Sequence, residues 1–420
     1  MKFKLNRIRR FVMPLLVLGF ILMSVVMANA KAPTTLKVTY YYTNEPMKIT
    51  VQKILDQYQA EHPNIRLDIQ VMAQSKYIPA LQTRAVAGDA PDVAMMSAQW
   101  IGNWIEQGML QEGNKYIPKK DLAKFDPIRN LSSQSNGKIY GLAVSSSVRA
   151  MVYNADYFKK AGITPPTKLS EAWTWDEMIA NAKKAQAASG AKYAFQFEKA
   201  SMDSWLPFLY QAGGQLLSDD NKKAAINSPE TRRALEWTLK LHKEGVAVPG
   251  MIDGTENPLR AFVSGLSVMW ETTNSSLETL NTQMKYNWGF TFMPRDKQQA
   301  TVVGGTDWVA FKGKYPKEAW DLVLYLASPK AMEAYNIGHN GIPSRSDVSV
   351  TWKTRPDLEP FFVEQCKAMP KKLQLDQITG VYAGSRAQLL GELSSYVSGQ
   401  QNVDVTLKNM ENIINRNIKK

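Results

Sequence analysis

Gly141-Leu142-Ala143-Val144-Ser145-Ser146-Ser147 and, two residues on, Ala150-Met151-Val152-Tyr153-Asn154-Ala155-Asp156-Tyr157-Phe158-Lys159-Lys160-Ala161-Gly162 form the stretch on which the fold turns. A strand over Ala150–Tyr153 leads directly into a helix carrying Tyr157 and Phe158. Towards the N-terminus the same rhythm appears. Thr35–Tyr42 alternates as a strand, and Pro46 opens a helix whose Met47, Val51, Ile54, Leu55 and Tyr58 share one face. Ile65–Met72 alternates again, a helix spans roughly Tyr77 to Ala87, and Val93–Met96 is a short buried strand. Strands alternating with helices predict parallel sheets covered on both faces.

Towards the C-terminus, Thr174-Trp175-Asp176-Glu177 has the form of a capping box, and Ser228-Pro229 and Ser328-Pro329 each set an N-cap before a first-turn proline. Strands are expected around Leu266–Trp270 and Trp288–Met293, and the region from about Arg386 is helical. No fixed-period repeat and no long linker interrupts the chain. Two α/β lobes joined by short crossing segments are expected.

The chain has 420 residues, 44% hydrophobic and 21% charged, with ordinary Gly and Pro usage, so it is globular and long enough for two or three domains. Its single cysteine, Cys366, excludes an intrachain disulfide and a CxxC redox pair. His62, His242 and His339 lie too far apart for HExxH spacing, and GxxxxGK[ST] and GxSxG are absent. No metal or cofactor is expected. The formal charge of +13 includes Lys2, Lys4, Arg7, Arg9 and Arg10, a basic head followed by the apolar run Phe11–Met27 and by Ala28-Asn29-Ala30. That order is a secretory leader, residues 1–30, although so long an apolar run also approaches an uncleaved anchor. Cleavage leaves a charge of +8 and no cysteine at the new terminus for a lipid. A periplasmic protein is expected.

Tyr153-Asn154-Ala155-Asp156-Tyr157-Phe158-Lys159-Lys160-Ala161-Gly162 resembles the "YNxDxFKKAG" signature of bacterial extracellular solute-binding proteins, the family that includes maltose-binding protein. Further pieces match in order: Glu61-His62-Pro63-Asn64-Ile65, Gly88-Asp89-Ala90-Pro91-Asp92-Val93, Phe262–Met269, Val303-Gly304-Gly305-Thr306-Asp307-Trp308 and Ser328-Pro329-Lys330. The resemblance implies a two-lobed periplasmic-binding-protein fold with mostly parallel sheets. Lobe 1 would hold residues 31–145 and 291–345, and lobe 2 residues 146–290 and 346–420. It also implies capture of a small solute in the interlobe cleft by a monomer and delivery to the transmembrane subunits of an ABC permease. Carbohydrates and their derivatives are the usual ligands, with glycerol-3-phosphate-type esters the alternative.

A sugar offers hydroxyls and a C–H face, so its cleft needs aromatic platforms edged by polar groups. Trp100 after the third strand, Trp270 at the end of its strand with Asn274 just beyond, and Trp308 beyond Gly305 and Asp307 stand where strand ends face a cleft. Tyr41 and Tyr42 close the first strand, and Trp205 precedes an apolar helix. Each can equally pack in a core, as Trp237 and Trp320 are expected to do. Ser146 and Ser147 match the family's interlobe crossing, Arg149 follows them, and Arg386 begins a helix where related phosphate-ester binders carry an arginine. A secreted glycoside hydrolase would instead need two facing carboxylates, for which Asp92, Glu271 and Asp307 are candidates. A nucleic-acid partner is not expected, because the positive residues are scattered apart from the terminal Arg416–Lys420.

Overall fold

The computed structural model describes residues 33–198 and 201–418, so the leader expected at residues 1–30 lies outside it. β1 (Thr34–Tyr42) pairs in parallel with β2 (Ile65–Ala73) on one side and with β3 (Val93–Ser97) on the other. Helix Glu45–Glu61 connects β1 to β2. Asn44 caps it by accepting from the Met47 amide at 2.9 Å, and Met47, Val51, Ile54, Leu55 and Tyr58 form its buried face. β4 (Gln134–Ser135) and β5 (Lys138–Ile139) make a small hairpin that leads into β6 (Gly141–Asn154), 14 residues long.

β6 belongs to both lobes. Its first half pairs antiparallel with β10 (Val303–Ala310), which also pairs antiparallel with β3. Its second half pairs antiparallel with β8 (Ser267–Thr273) and β9 (Trp288–Thr291), and β7 (Tyr193–Gln196) extends that sheet in parallel with β8. β11 (Ile342–Pro343) lies against Ser145 and Ser146. The sheets are therefore mixed. Parallel pairing holds at β2-β1-β3 and β7-β8, and gives way wherever β6 or β10 enters, because those strands return from the other lobe in the opposite sense.

Two apolar clusters define the lobes. One gathers Leu36, Val38, Met95, Leu142, Val144, Trp308 and Trp320; the other runs from Val148 through Trp205, Phe262 and Trp270 to the C-terminal helices Gly380–Val397 and Val403–Asn417. Met293, Ala300, Val302 and Val303 pack in the second cluster, so the return to the first lobe, expected at residue 291, falls at the start of β10. The crossings are tied together by one side chain. Asn274 accepts from the Val148 amide at 2.8 Å and donates to the Asn340 carbonyl at 2.7 Å, joining β6, the end of β8 and the segment before β11. Among the described residues no helix is long and apolar enough to cross a membrane.

Three local expectations shift. Trp100 lies on helix Ala98–Glu106 rather than in a loop, Trp270 is central in β8 rather than at its end, and Arg386 is well inside helix Gly380–Val397. The caps at Thr174, Ser228 and Ser328 form as the sequence predicts, Thr174 and Glu177 completing their reciprocal box.

Candidate functional site

The cleft between the lobes encloses about 190 Å³ beside the crossing of β6. Alternation along an extended strand decides which serines face it: Ser145 and Ser147 line the cleft, and Ser146 points out of the opposite face. Opposite them on β10 stands Gly305, with φ +140°, a conformation that favours glycine; a Cβ there would lie 2.0 Å from the Ser145 carbonyl oxygen. The first lobe adds Tyr41, Gln99, Thr306 and Tyr335, whose hydroxyl donates to Thr306 Oγ1 at 3.1 Å. His339 Nδ1 donates to the Tyr335 carbonyl (2.7 Å), which leaves Nε2 to accept from the Ser145 hydroxyl (3.2 Å). Burial pushes this imidazole down to about 4, so it is neutral at physiological pH.

The second lobe supplies the charge. Arg149 Nη1 lies 2.5 Å from Glu198 Oε2 and 3.2 Å from Glu271 Oε1. Burial alone would depress the guanidinium, but Glu198, Glu271 and Asp203 outweigh it and hold the charge in place. Burial pushes the Glu271 carboxyl up to about 8 against the pull of Arg149. Asp203 Oδ1 accepts from Tyr382 Oη at 2.6 Å and from Gln377 Nε2 at 3.1 Å, which positions both Asp203 and Gln377 on the cleft wall. Thr273 and Ser275, linked through their hydroxyls at 2.6 Å, complete the rim.

Of the residues singled out in the sequence, Tyr41, Ser147, Arg149 and Gly305 come together on the cleft. Trp100 stands just behind it, its ring edge-on to Tyr41 at 5.3 Å. The other residues lie elsewhere. Trp205, Trp270 and Trp308 are core residues, 1%, 4% and 2% exposed: Trp205 donates to Thr238 inside the second lobe, Trp270 packs on Phe262, and Trp308 packs in the apolar cluster of the first lobe. Tyr42 is half-buried under the Lys48 ammonium outside the cleft. Asn274 is the hinge clamp. Asp307 is buried in the first lobe, where Arg129, Ser132 and Ser133 each lie 2.5 Å from its carboxylate. Arg386 is half-buried near Tyr382 and not on the cleft wall.

None of Asp92, Glu271 and Asp307 lines the cleft, and Glu271 reaches it only through Arg149. Glu198, Asp203, Tyr335, His339 and Gln377 were not visible as site residues, because each owes its place to an element far away in the chain. Among the described residues no cluster of His, Cys, Asp and Glu could hold a metal ion.

A family model described as bacterial extracellular solute-binding protein matches residues 53–360. Among sequence relatives, the sn-glycerol-3-phosphate-binding periplasmic protein UgpB of Escherichia coli O1:K1 / APEC is 25% identical over 76% of this chain and 76% of its own. Among solved structures, the GacH receptor of Streptomyces glaucescens, determined unliganded and with acarbose, superposes with a TM-score of 0.78 at 20% identity, over 92% of this chain and 99% of its own. An ABC substrate-binding protein of Listeria monocytogenes in complex with cycloalternan gives a TM-score of 0.75 at 22% identity, over 91% and 98%. The structural likenesses establish the two-lobed fold.

Proposed function

The chain belongs to the bacterial extracellular solute-binding protein family, and from that premise we infer that it captures a neutral carbohydrate or sugar derivative between its lobes and delivers it to the membrane subunits of an ABC importer. One observation carries the reading. Hydroxyls, amides and carboxylates from both lobes converge on a single space whose arginine is already held by carboxylates. A sugar ring needs such a ring of donors and acceptors. A phosphate ester needs an uncommitted cation, and Arg149 is the sole cation among the described residues on the cleft wall. The likeness to UgpB makes a polyol phosphate the second reading.

The mechanism is a hinge equilibrium. A ligand that touches Ser145, Gln99 or Thr306 on one side and Ser147, Asp203 or Gln377 on the other favours the closed pair by contacts that the open pair lacks. Moving the closed fraction from 1:99 to 99:1 takes about 5.5 kcal/mol, which five or six hydrogen bonds of about 1 kcal/mol each supply. The protein would act as a monomer in the periplasm after loss of its leader, and return its sugar chemically unchanged.

Thermal unfolding of the ligand-stripped protein against maltose, acarbose and sn-glycerol 3-phosphate tests the reading. A saccharide at 100 times its Kd is expected to stabilise by about 2.7 kcal/mol, and the phosphate ester to leave Tm unmoved. Stabilisation by the ester alone overturns the neutral-sugar reading.

A further inference from the structure

Gln99 and Gln377, one from each lobe, line the same cleft, and just beyond both of them the lobes touch. Gln99 lies in the first turn of helix Ala98–Glu106, and on the next turn Gly102 lies bare against the second lobe, where a Cβ would come within 1.9 Å of the Ile378 carbonyl oxygen. One turn further, Glu106 Oε1 accepts from the Gly380 amide at 2.8 Å. Gln377 ends helix Lys371–Gln377, so residues 377–380 pass directly from the cleft wall into this contact. They are held firmly: Gln377 donates to Asp203 at 3.1 Å, and the buried Asp376 accepts from Lys372 at 2.6 Å. Backbone meets backbone here, and neither Gly102 nor Ile378 lines the cleft. The cleft is therefore blind at this end.

Space and surface agree with a blind end. The volume of about 190 Å³ is room for about six waters at about 30 Å³ each, close to what one hexose displaces and about half of what a disaccharide does. Two phenol rings line the wall among the described residues, Tyr41 and Tyr335, each 3% exposed. Tyr41 is met edge-on by Tyr77 and by Trp100, each at 5.3 Å, and Tyr335 is covered by the His339 imidazole at 4.1 Å. A saccharide gripped along several rings rests its C–H faces on a row of open aromatic faces. This wall offers no such row, and its hydroxyls, amides and carboxylates suit the polar edge of one ring.

We propose that the cleft is a one-ring site: it encloses a single monosaccharide unit against the blind end made by Gly102, Ile378 and Gly380, and any further unit projects out of the cleft mouth and adds no affinity. The proposal rests on the carbohydrate reading above and narrows it to monosaccharides and to saccharides held through one terminal unit. Glu106 is a positioning residue for this limit. By holding the Gly380 amide it keeps residues 377–380 across the end of the cleft, without itself lining it.

Thermal unfolding followed by calorimetry of the ligand-stripped protein tests this, with glucose, galactose, mannose, xylose and arabinose set against maltose, cellobiose, lactose and maltotriose. At least one monosaccharide is expected to bind, and every longer saccharide that binds to match it or fall below it in affinity. Glu106 is exposed, so Glu106→Ala leaves the fold intact while releasing the end wall. In that variant the affinity for a disaccharide relative to its own monosaccharide is expected to rise about fivefold, the equivalent of one net hydrogen bond of about 1 kcal/mol. A disaccharide or maltotriose that binds the native protein more tightly than every monosaccharide overturns the proposal, and so does a ratio that Glu106→Ala leaves unmoved. In both of those outcomes the carbohydrate reading stands. Absence of binding by saccharides of every length overturns that reading and this one with it, so the two failures are told apart.

Discussion

Glu271 shows how far a single buried group can shape the behaviour of the cleft. It is fully buried beside Arg149, and burial raises its carboxyl to about 8 from an ordinary value near 4.5. The folded state therefore holds this proton more tightly than the unfolded state does. Its contribution to stability is fully present below the unfolded value and is lost as pH rises through the folded one. Glu271→Gln keeps an acceptor for Arg149 and removes the titration, so its Tm advantage over the native protein is expected to grow from about pH 5 to about pH 9. A constant difference across that range contradicts the assignment of the proton to Glu271. Residue-scale reading of the sequence was strongest where chemistry is local. Ser147, Arg149 and Gly305 stand out from their immediate neighbours, and all reach the cleft. It was weakest for the tryptophans, because exposure on a strand depends on what covers each face. Trp270 and Trp308 lie in the apolar clusters of the second and first lobe, and nothing within a few residues of either one records that.

At the scale of elements, the lobes meet outside the hinge through two glycines. Helix Ala98–Glu106 of the first lobe packs against the start of helix Gly380–Val397 of the second, and Glu106 Oε1 accepts from the Gly380 amide at 2.8 Å. A carboxylate at a helix N-terminus satisfies an otherwise free donor and complements the helix dipole. The close approach depends on missing side chains: a Cβ on Gly102 would lie 1.9 Å from the Ile378 carbonyl oxygen. Gly102→Ala is accordingly expected to hold the lobes apart and raise the Kd for the sugar about tenfold, the equivalent of about 1.4 kcal/mol of closure free energy. Measured by calorimetry, an unchanged Kd removes this contact from the closing equilibrium. The elements themselves were legible, since helix Glu45–Glu61 buries the five residues its periodicity marks, and the caps at Thr174, Ser228 and Ser328 are read from single motifs. Strand direction was not. The antiparallel pairing of β6 and β10 follows from the chain returning between lobes, a property of the path rather than of any segment.

At the scale of the whole molecule, the division into two apolar clusters with β6 spanning both lets a local event in the cleft change the overall shape. No flexible tether intervenes. The crossings are short, and Asn274 ties Val148 to the segment before β11. Six ordered motifs made that architecture recognisable in the sequence, whereas Asp203, His339 and Gln377 became cleft residues only once the C-terminal segments had folded back across the hinge. The central claim is that a solute held by both lobes closes them. Small-angle X-ray scattering of the ligand-free protein, with and without the saccharide that most raises Tm, tests it directly. Closure predicts a smaller radius of gyration and a shorter maximum dimension in the complex; superimposable profiles at saturating saccharide would contradict it.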